Sequence, residues 1–475
     1  MPLILPGNVG SATAATGYDV ANSVRFDDGS NCQMRRAGVA GGNQDKFTLS
    51  MWIKRANIGT DHPRLFTSVA SGNDRFEIYF EDTNELHIEG IDNGTATLNL
   101  VTSAKFTDVS AWYHILLAVD TGQGTEANRA KLYINGVLET AFGTSTRPDQ
   151  DGNIGINTNS FPIQIGERSG YGVDFDGYFA EIVFLDGAQS ANTDLGEFDE
   201  DSGIWKPIDV EDLSSSKGNN GFYLDFEDSS NLGNDVFGGT DFSEANLAAI
   251  DQTTDTCTNN FATINPLDNY FAVATLAEGS LKVTCNAGNT TFITSTFGLS
   301  KGKWYWEGKL TTVGGEEAIG ITDKNSTATD NYAGQTANSY SFKGNNGDIR
   351  NADENASYGG GYGASVIGVY MDLDNNKLYF AINGSIQNSG TGVAITAVAS
   401  TTNGFYFPMV GDVDSDAPVW EVNFGNPVSA LSSAVSDANG YGAFEYSPSD
   451  GGSASFDSAA KSFLAICTKN LATDG

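Results

Sequence analysis

Apolar and polar positions alternate with period two along much of the first 190 residues. In FTLSMWIKR (47–55), Phe47, Leu49, Met51 and Ile53 share one side, and Thr48, Ser50, Trp52 and Lys54 share the other. Successive side chains of a pleated strand point to opposite faces, so this run predicts a β-strand. The same signature recurs in VRFDDGSN (24–31), RLFTSVA (64–70), RFEIYFED (75–82), ELHIEGID (85–92), ATLNLVT (96–102) and AWYHILLAVD (111–120). It continues through RAKLYINGVLET (129–140), FPIQIGE (161–167) and GYFAEIVFLDG (177–187). The NG at 135–136 marks a hairpin between LYI and VLE. Short strands joined by polar turns predict an antiparallel sandwich or jelly roll over 23–190. Trp52 lies on the polar side of its strand. A central strand can be covered on both faces, so Trp52 is expected to be partly buried under a loop or a neighbouring block.

A second block of strands spans 273–427: SLKVTCN (280–286), TFITSTFGLSKGKWYWEGKL (291–310), EAIGITD (317–323), SVIGVYMDLDNNKLYFAINGS (365–385), GFYFPMVGD (404–412) and VWEVNFGN (419–426). Trp304 and Trp306 alternate on one face of KWYWEG, with Tyr305 opposite, and the two tryptophans are expected in the core. Between the blocks, residues 191–272 are rich in Asn, Asp and Gly and predict an extended connector held by side chain to backbone bonds. FYLDFED alternates and could add an edge strand to the first sandwich. Residues 428–475 form a tail. The fold class is therefore all-β, two antiparallel sandwiches joined by an extended connector.

Several strings resemble known families. WYHILLAVD, KLYINGVLETAF and FDGYFAEIVFLDG, together with FTLSMWIKR, resemble the laminin-G/concanavalin A-like lectin superfamily over some 165 residues. GKWYWEGKL, IGVYMDLDNNKLYFAINGS and FYFPMV…NFG, in that order, resemble the SPRY domain, another two-sheet sandwich. GEFDEDSGIWKP, NGFYLDF and DTCTNNFATINP in the connector, with the tail GYGAFEYSPSDGGSASFDSAAKSFLAICTKNL (440–471), resemble large virion proteins of marine tailed bacteriophages. The tail departs from that pattern by carrying SPSDGGSASFDSAAKS where a Pro-Pro-Ser-Gly turn is usual.

Charge narrows the partners. With 25 Lys and Arg against 60 Asp and Glu, the formal net charge is −35. A phosphate backbone or an anionic membrane is repelled by such a surface, so neither nucleic acid nor membrane insertion is expected. Cys32, Cys257, Cys285 and Cys467 are far apart, form no CxxC pair and match no zinc spacing, so they are expected to be buried or partly buried free thiols. The opening MPLILPGNVGSATAATGYDV has no basic region and an apolar run of only LIL, so no signal peptide is expected. A Gly/Ala/Thr-rich start frays unless tied down. Residues 1–22 are therefore expected to be an anchoring arm, with Leu3, Ile4 and Leu5 gripping a partner.

Candidate chemistry is sparse. The histidines are His62, His87 and His114, without GxSxG or HExxH, and His114 alternates with Trp112 in a strand, where packing is its expected role. A sugar hydrolase needs two carboxylates flanking the scissile bond. Glu197, Asp199 and Asp201 in EFDED are the nearest string, and they read as a solvated acidic turn. Calcium favours clustered oxygen ligands. Asp27 with Asp28, Asp174 with Asp176, and Asp412 with Asp414 and Asp416 are the candidates, and the laminin-G resemblance, whose members often bind calcium at the sandwich rim, singles out Asp174 and Asp176. The polar loop 346–365 carries Tyr358 and Tyr362 between glycines, with Asn351 and Asp353 nearby. These four could stack on and bond to a sugar, or pack against a neighbouring subunit.

The resemblances imply a non-enzymatic structural protein of a phage virion, a tail fibre or head fibre. It would be made in the bacterial cytoplasm, attached to other virion proteins through its arm and set against a host-surface glycan, as a homo-oligomer, trimeric by family analogy. Two other classes stay open: a capsid decoration protein that binds only virion proteins, and a polysaccharide-degrading enzyme.

Overall fold

The computed structural model describes residues 17–59, 62–157, 161–269, 272–323, 332–414, 416–449, 456 and 462–475. The expected anchoring residues Leu3, Ile4 and Leu5 lie outside the described residues. The chain divides into two compact units, 15–258 and 259–475. The fold is all-β, and among the described residues one α-helix is present, Thr468–Asp474.

In unit 15–258, one sheet runs in the order Val137–Leu138, Ala130–Ile134, Trp112–Asp120, Lys46–Arg55, Gly177–Asp186, Ser23–Phe26 and Gln252–Thr253. Facing it, the other runs Phe142–Thr146, Thr95–Lys105, Glu85–Asp92, Asp74–Phe80, Arg64–Ser71, Ile163–Ile165, Gln33–Arg36 and Ser243–Ala245. Phe47, Leu49, Met51 and Ile53 face the shared core with Phe76, Ile78 and Phe80 of the opposite sheet, as the alternation requires. The hairpin at 135–136 is present: Asn135 and Gly136 both take positive φ, at 47° and 75°, the combination that two-residue hairpins favour. The connector adds to this sandwich the strand that FYLDFED offered, and two more. Up to Thr258 it belongs to this unit. Phe222–Leu224 pairs with Gly177–Asp186, and Gln252–Thr253 and Ser243–Ala245 each close a sheet edge.

The connector returns because the outer face of the Lys46–Arg55 strand is too rich in large and polar groups to be left to water. Trp52 is 5% exposed and stacks at 4.8 Å on His114, its cross-strand partner. The Trp205 indole N–H donates to His114 Nδ1 at 3.0 Å, and Ser50 Oγ lies 2.8 Å from Nε2. An N–H aimed at Nδ1 assigns the ring proton to Nε2. Burial pushes the His114 pKa down to about 3, so the ring stays neutral and packs, as its place beside Trp112 suggested. Gly136 leaves room for the Trp205 ring; a Cβ there would sit 2.1 Å from it. One pair further along, the Lys54 ammonium meets Asp255 at 2.8 Å with both side chains buried. Trp112 Nε1–H donates to the other Asp255 oxygen at 3.2 Å.

In unit 259–475, one sheet runs Thr275–Ala277, Lys282–Thr284, Val419–Asn423, Lys303–Thr312, Val366–Asp372, Lys377–Ile382 and Ser385–Ile386. The other runs Phe292–Thr294, Phe407–Asp412, Glu317–Thr322, Ser339–Lys343, Asp348–Asn351 and Glu354–Ser357. Trp304, Trp306 and Trp420 fill the core between them, as expected of the first two. Tyr305, Tyr370 and Tyr379 on the outer face are also buried, covered by Phe444, Phe456 and Phe463 of the tail. Leu464–Ala465 pairs in parallel with Trp304 and Tyr305. The four cysteines are free; Cys32, Cys285 and Cys467 are buried and Cys257 is half-buried.

Removing the ring that caps the outer face tests how much this second layer contributes. Trp205→Ala is expected to destabilise unit 15–258 by about 3–5 kcal/mol, the usual range for emptying a buried tryptophan site. Urea unfolding followed by fluorescence reads it, and a loss below about 1 kcal/mol would show that the covering is dispensable.

Candidate functional site

The aromatic loop of the second unit is not a display surface. Tyr358 is 8% and Tyr362 5% exposed, and both pack on Phe342 in the core. The Tyr362 hydroxyl donates to the Phe342 carbonyl at 2.7 Å. Glycines at 359–361 and 363 let the chain pass close to the sheet, so the loop lies down and its rings turn inward. Asn351 donates to the carbonyls of Ala337 and Ser339 at 2.7 and 3.0 Å, which fixes a turn. Asp353 accepts from Tyr332 at 2.6 Å and pairs with Arg350. The exposed sugar plates expected here are absent among these four residues.

The acidic strings also resolve into structure. Asp199 accepts from the backbone and hydroxyl of Ser202 at 2.8 Å, and Lys206 bridges Glu197 and Asp199, so EFDED is an acidic hairpin turn tied by one lysine, and it includes Asp201. Asp412 is buried and its pKa is pushed up to about 8, first by burial and then by Asp414 and Asp416. Asp414 accepts from the Asp416 backbone at 3.1 Å. On the outer face of this unit a cleft of about 200 Å³ opens between Lys309, Glu421, Val428 and Tyr446. Its floor is Glu307, whose carboxylate accepts from Tyr305, Asn423 and the backbones of Glu445 and Tyr446, which leaves it occupied with the tail.

The rim of the first sandwich is different. Segments 27–31, 56–59 and 166–176 meet there: Ala56 N–H donates to the Asp176 carbonyl at 3.1 Å, and Arg64 N–H to the Val173 carbonyl at 3.0 Å. Tyr171 stands out, with 62% of its surface exposed between Gly170 and Gly172. One side of the ring is backed by the Arg168 guanidinium, 3.8 Å from its centroid. Arg168 is held in turn by the Glu77 carboxylate at 3.0 Å. Glu77 is buried and also meets Arg64 and Arg75, at 3.3 and 3.1 Å. It alternates with the core residues Phe76 and Ile78, so the strand fixes its direction and the plate inherits a rigid support.

Glu167 and Asp174 lie on the same segment as Tyr171, and Asp28 on the neighbouring one. Burial and Asp28 raise the pKa of Asp174; burial and Asp27 raise that of Asp28; burial and Asp174 raise that of Glu167. The structure thus brings Asp174 towards Asp28 and Glu167 rather than towards Asp176, which is buried. Among the described residues, Asp174 and Asp176 belong to no group of three or more His, Cys, Asp and Glu ligand atoms. What the rim offers is a flat apolar face beside hydrogen-bonding carboxyls and a guanidinium. That combination suits a polyhydroxylated ring, whose C–H face stacks on the aromatic while its hydroxyls bond to the acids. Tyr171, Arg168 and Glu77 carried no signal in sequence beyond the GYG at 170–172.

On the opposite sheet, Glu181 is buried at a bulge with φ +49°, an uncommon backbone for a glutamate. The Tyr223 hydroxyl donates to it at 2.7 Å, and Tyr18 is 3.4 Å away. Burial, with the nearby charges of Asp225 and Glu227, moves its pKa from 4.5 up to about 8.

Residues 27–193 match the laminin-G family described as the concanavalin A-like lectin/glucanases superfamily, and residues 303–417 match the SPRY domain. No curated protein sequence matches the chain. Among solved structures, stonustoxin is similar at 19% identity over 34% of this chain, with a TM-score of 0.27, and the match spans 27% of the toxin chain. The SPRY domain of human HERC1 is similar at 12% identity over 34% of this chain and 96% of that one, with a TM-score of 0.27. A putative carbohydrate binding protein from Bacteroides ovatus is similar at 17% identity over 37% of this chain and 46% of that one, with a TM-score of 0.26.

Glu181 sets a pH dependence with a definite sign. A carboxyl whose pKa is raised by folding holds its proton when the unfolded chain has lost it, so stability falls as pH rises from about 4.5 to about 8 and is level above. Glu181→Gln is expected to flatten that window and to make the protein more stable than the parent at pH 8.5. Urea midpoints measured from pH 4 to 9 read it, and parallel curves for the two proteins would refute the buried neutral acid.

Proposed function

We propose that this chain is a structural protein displayed on a tailed-bacteriophage virion, a tail or head fibre that contacts a host-surface glycan through the rim around Tyr171. The observation that carries the glycan reading is the exposed Tyr171 ring, backed by Arg168, which Glu77 holds in place, on the segment that also carries Asp174. The match of the surrounding sandwich to a lectin superfamily supports it. The virion reading rests on the likeness of the connector and tail strings to marine phage proteins, and on an acidic surface suited to a particle exterior. Residues 1–22 are assigned as the arm that attaches to other virion proteins, and the assembled state as a homo-oligomer, a trimer by analogy. Single aromatic contacts are weak, and a trimer would multiply them by effective concentration.

A glycan array followed by calorimetry on the purified full chain tests the binding. Tyr171→Ala is expected to weaken the best glycan at least tenfold, about 1.4 kcal/mol. Tyr358→Phe, in the second unit's core, should leave affinity unchanged. An array without hits at millimolar ligand would favour a decoration protein that binds only virion partners, and release of new sugar ends would favour a polysaccharide-degrading enzyme. Locating and counting the chain in an intact particle by cryo-electron microscopy decides the virion assignment, and its absence from purified particles would overturn it.

A further inference from the structure

None of the three histidines belongs to the Tyr171 rim, and two of them, His62 and His87, gather elsewhere on one carboxylate. His62 precedes the strand Arg64–Ser71, and Glu81 and Asp82 follow the strand Asp74–Phe80. The antiparallel register sets Arg64 opposite Tyr79, which brings the start of one strand beside the end of the other. His62 Nε2 then lies 3.0 Å from Glu81 Oε2, and the ligating atoms of His62, Glu81 and Asp82 all fall within 4.8 Å of one another. Glu81 does not hang free: its second oxygen is 2.6 Å from His87 Nδ1, and His87 Nε2 is 3.0 Å from Asn99 Oδ1. His87 itself packs at a tilt on Tyr79, 4.6 Å between centroids, and the Arg64 guanidinium lies 3.8 Å from that ring.

His62 adopts φ +57° although Pro63 follows, a position where extended backbone is the norm. Its carbonyl is held by Arg64 Nη1. A strained, pinned backbone around a half-exposed imidazole is the sort of cost that persists where a side chain has to be aimed.

We propose that His62, Glu81 and Asp82 form a binding site for a divalent transition-metal ion of the zinc class. An imidazole with two carboxylates is a donor set for zinc rather than calcium, which takes oxygen throughout. Zinc–nitrogen and zinc–oxygen bonds of about 2.0–2.2 Å in a tetrahedron put neighbouring donors about 3.3 Å apart. The His62 and Glu81 donors already sit near that spacing, and Asp82, exposed on its turn, supplies the third corner. His87 and Asn99 then form the outer chain that orients Glu81, the arrangement that metal-bound carboxylates and histidines ordinarily have. Three protein ligands leave one position for water. Bound there, the ion ties His62 to the 81–84 turn, to which Gly59 is already joined through Asn84 at 3.0 Å. The neighbouring residues Ala56 and Asn57 reach Asp176 and Asp28, so the ion stiffens the rim. The site stands independently of the glycan reading, because metal uptake needs no sugar.

The test is titration of the chelator-stripped full chain with zinc chloride, read by calorimetry and by the thermal midpoint. One zinc ion per chain is expected, with a raised midpoint. Affinity should fall at least tenfold in His62→Ala and Glu81→Gln, and about tenfold in His87→Ala through the outer shell. Calcium chloride should not compete. Cys257→Ser is the control, since a half-buried thiol could bind zinc elsewhere, and it should bind as the parent does. Absence of saturable binding, or binding that His62→Ala and Glu81→Gln leave intact in variants with parental circular dichroism, overturns the site.

Discussion

An ammonium buried away from water must find an anion, and Lys54 finds its anion 201 residues later in the chain. Desolvation pulls the Lys54 pKa down, and Asp255, with a smaller contribution from Asp108, opposes that pull. Everything between the two residues is constrained by the requirement that residue 255 come back to the outer face of the central strand. Trp52, His114 and Trp205 make the same demand with apolar surface and hydrogen bonds. The stretch from 191 to 258 therefore serves as a second wall of the first sandwich.

The second unit solves an equivalent problem with different chemistry. Its central strand, Lys303–Thr312, turns Trp304 and Trp306 inward and Tyr305 outward, and Tyr305 lies within 4.6 and 5.0 Å of the Tyr370 and Phe444 rings. Glu307, next on the outer side, accepts four hydrogen bonds and so anchors the tail by its backbone at Glu445 and Tyr446. In both units a strand covered on its two faces recruits sequence from far downstream, by an ion pair in one and by a carboxylate that accepts backbone N–H groups in the other.

Period-two alternation made the strands legible, and Asn135–Gly136 made a hairpin legible, because both depend on backbone geometry that neighbouring residues dictate. The direction in which an aromatic faces is set by distant partners: Trp52, Trp304 and Trp306 are buried as read, whereas Tyr358 and Tyr362, for which display and packing were both open, turn inward. Gly170-Tyr171-Gly172 and Gly361-Tyr362-Gly363 are the same tripeptide, yet one ring stands in solvent over Arg168 and the other lies in the core on Phe342. Nothing within a few residues separates them. Asp174 was found by its type and place, but its partner Asp28 comes from another loop, and Glu167 from the far end of its own. His62 and His87 were visible as rare residues, and only the register of two strands brought them to Glu81.

The Leu464–Ala465 strand fills the last open stretch of the central strand in the second unit, and Phe463 beside it covers Tyr370. Those residues follow the strand they complete by 160 positions in the chain. Until they arrive, a row of tyrosines and a strand edge stay open to any other chain in the same condition. A product cut short before residue 463 would thus keep a sticky seam. The geometry makes the docking of this one short strand the event that renders the unit inert towards its siblings.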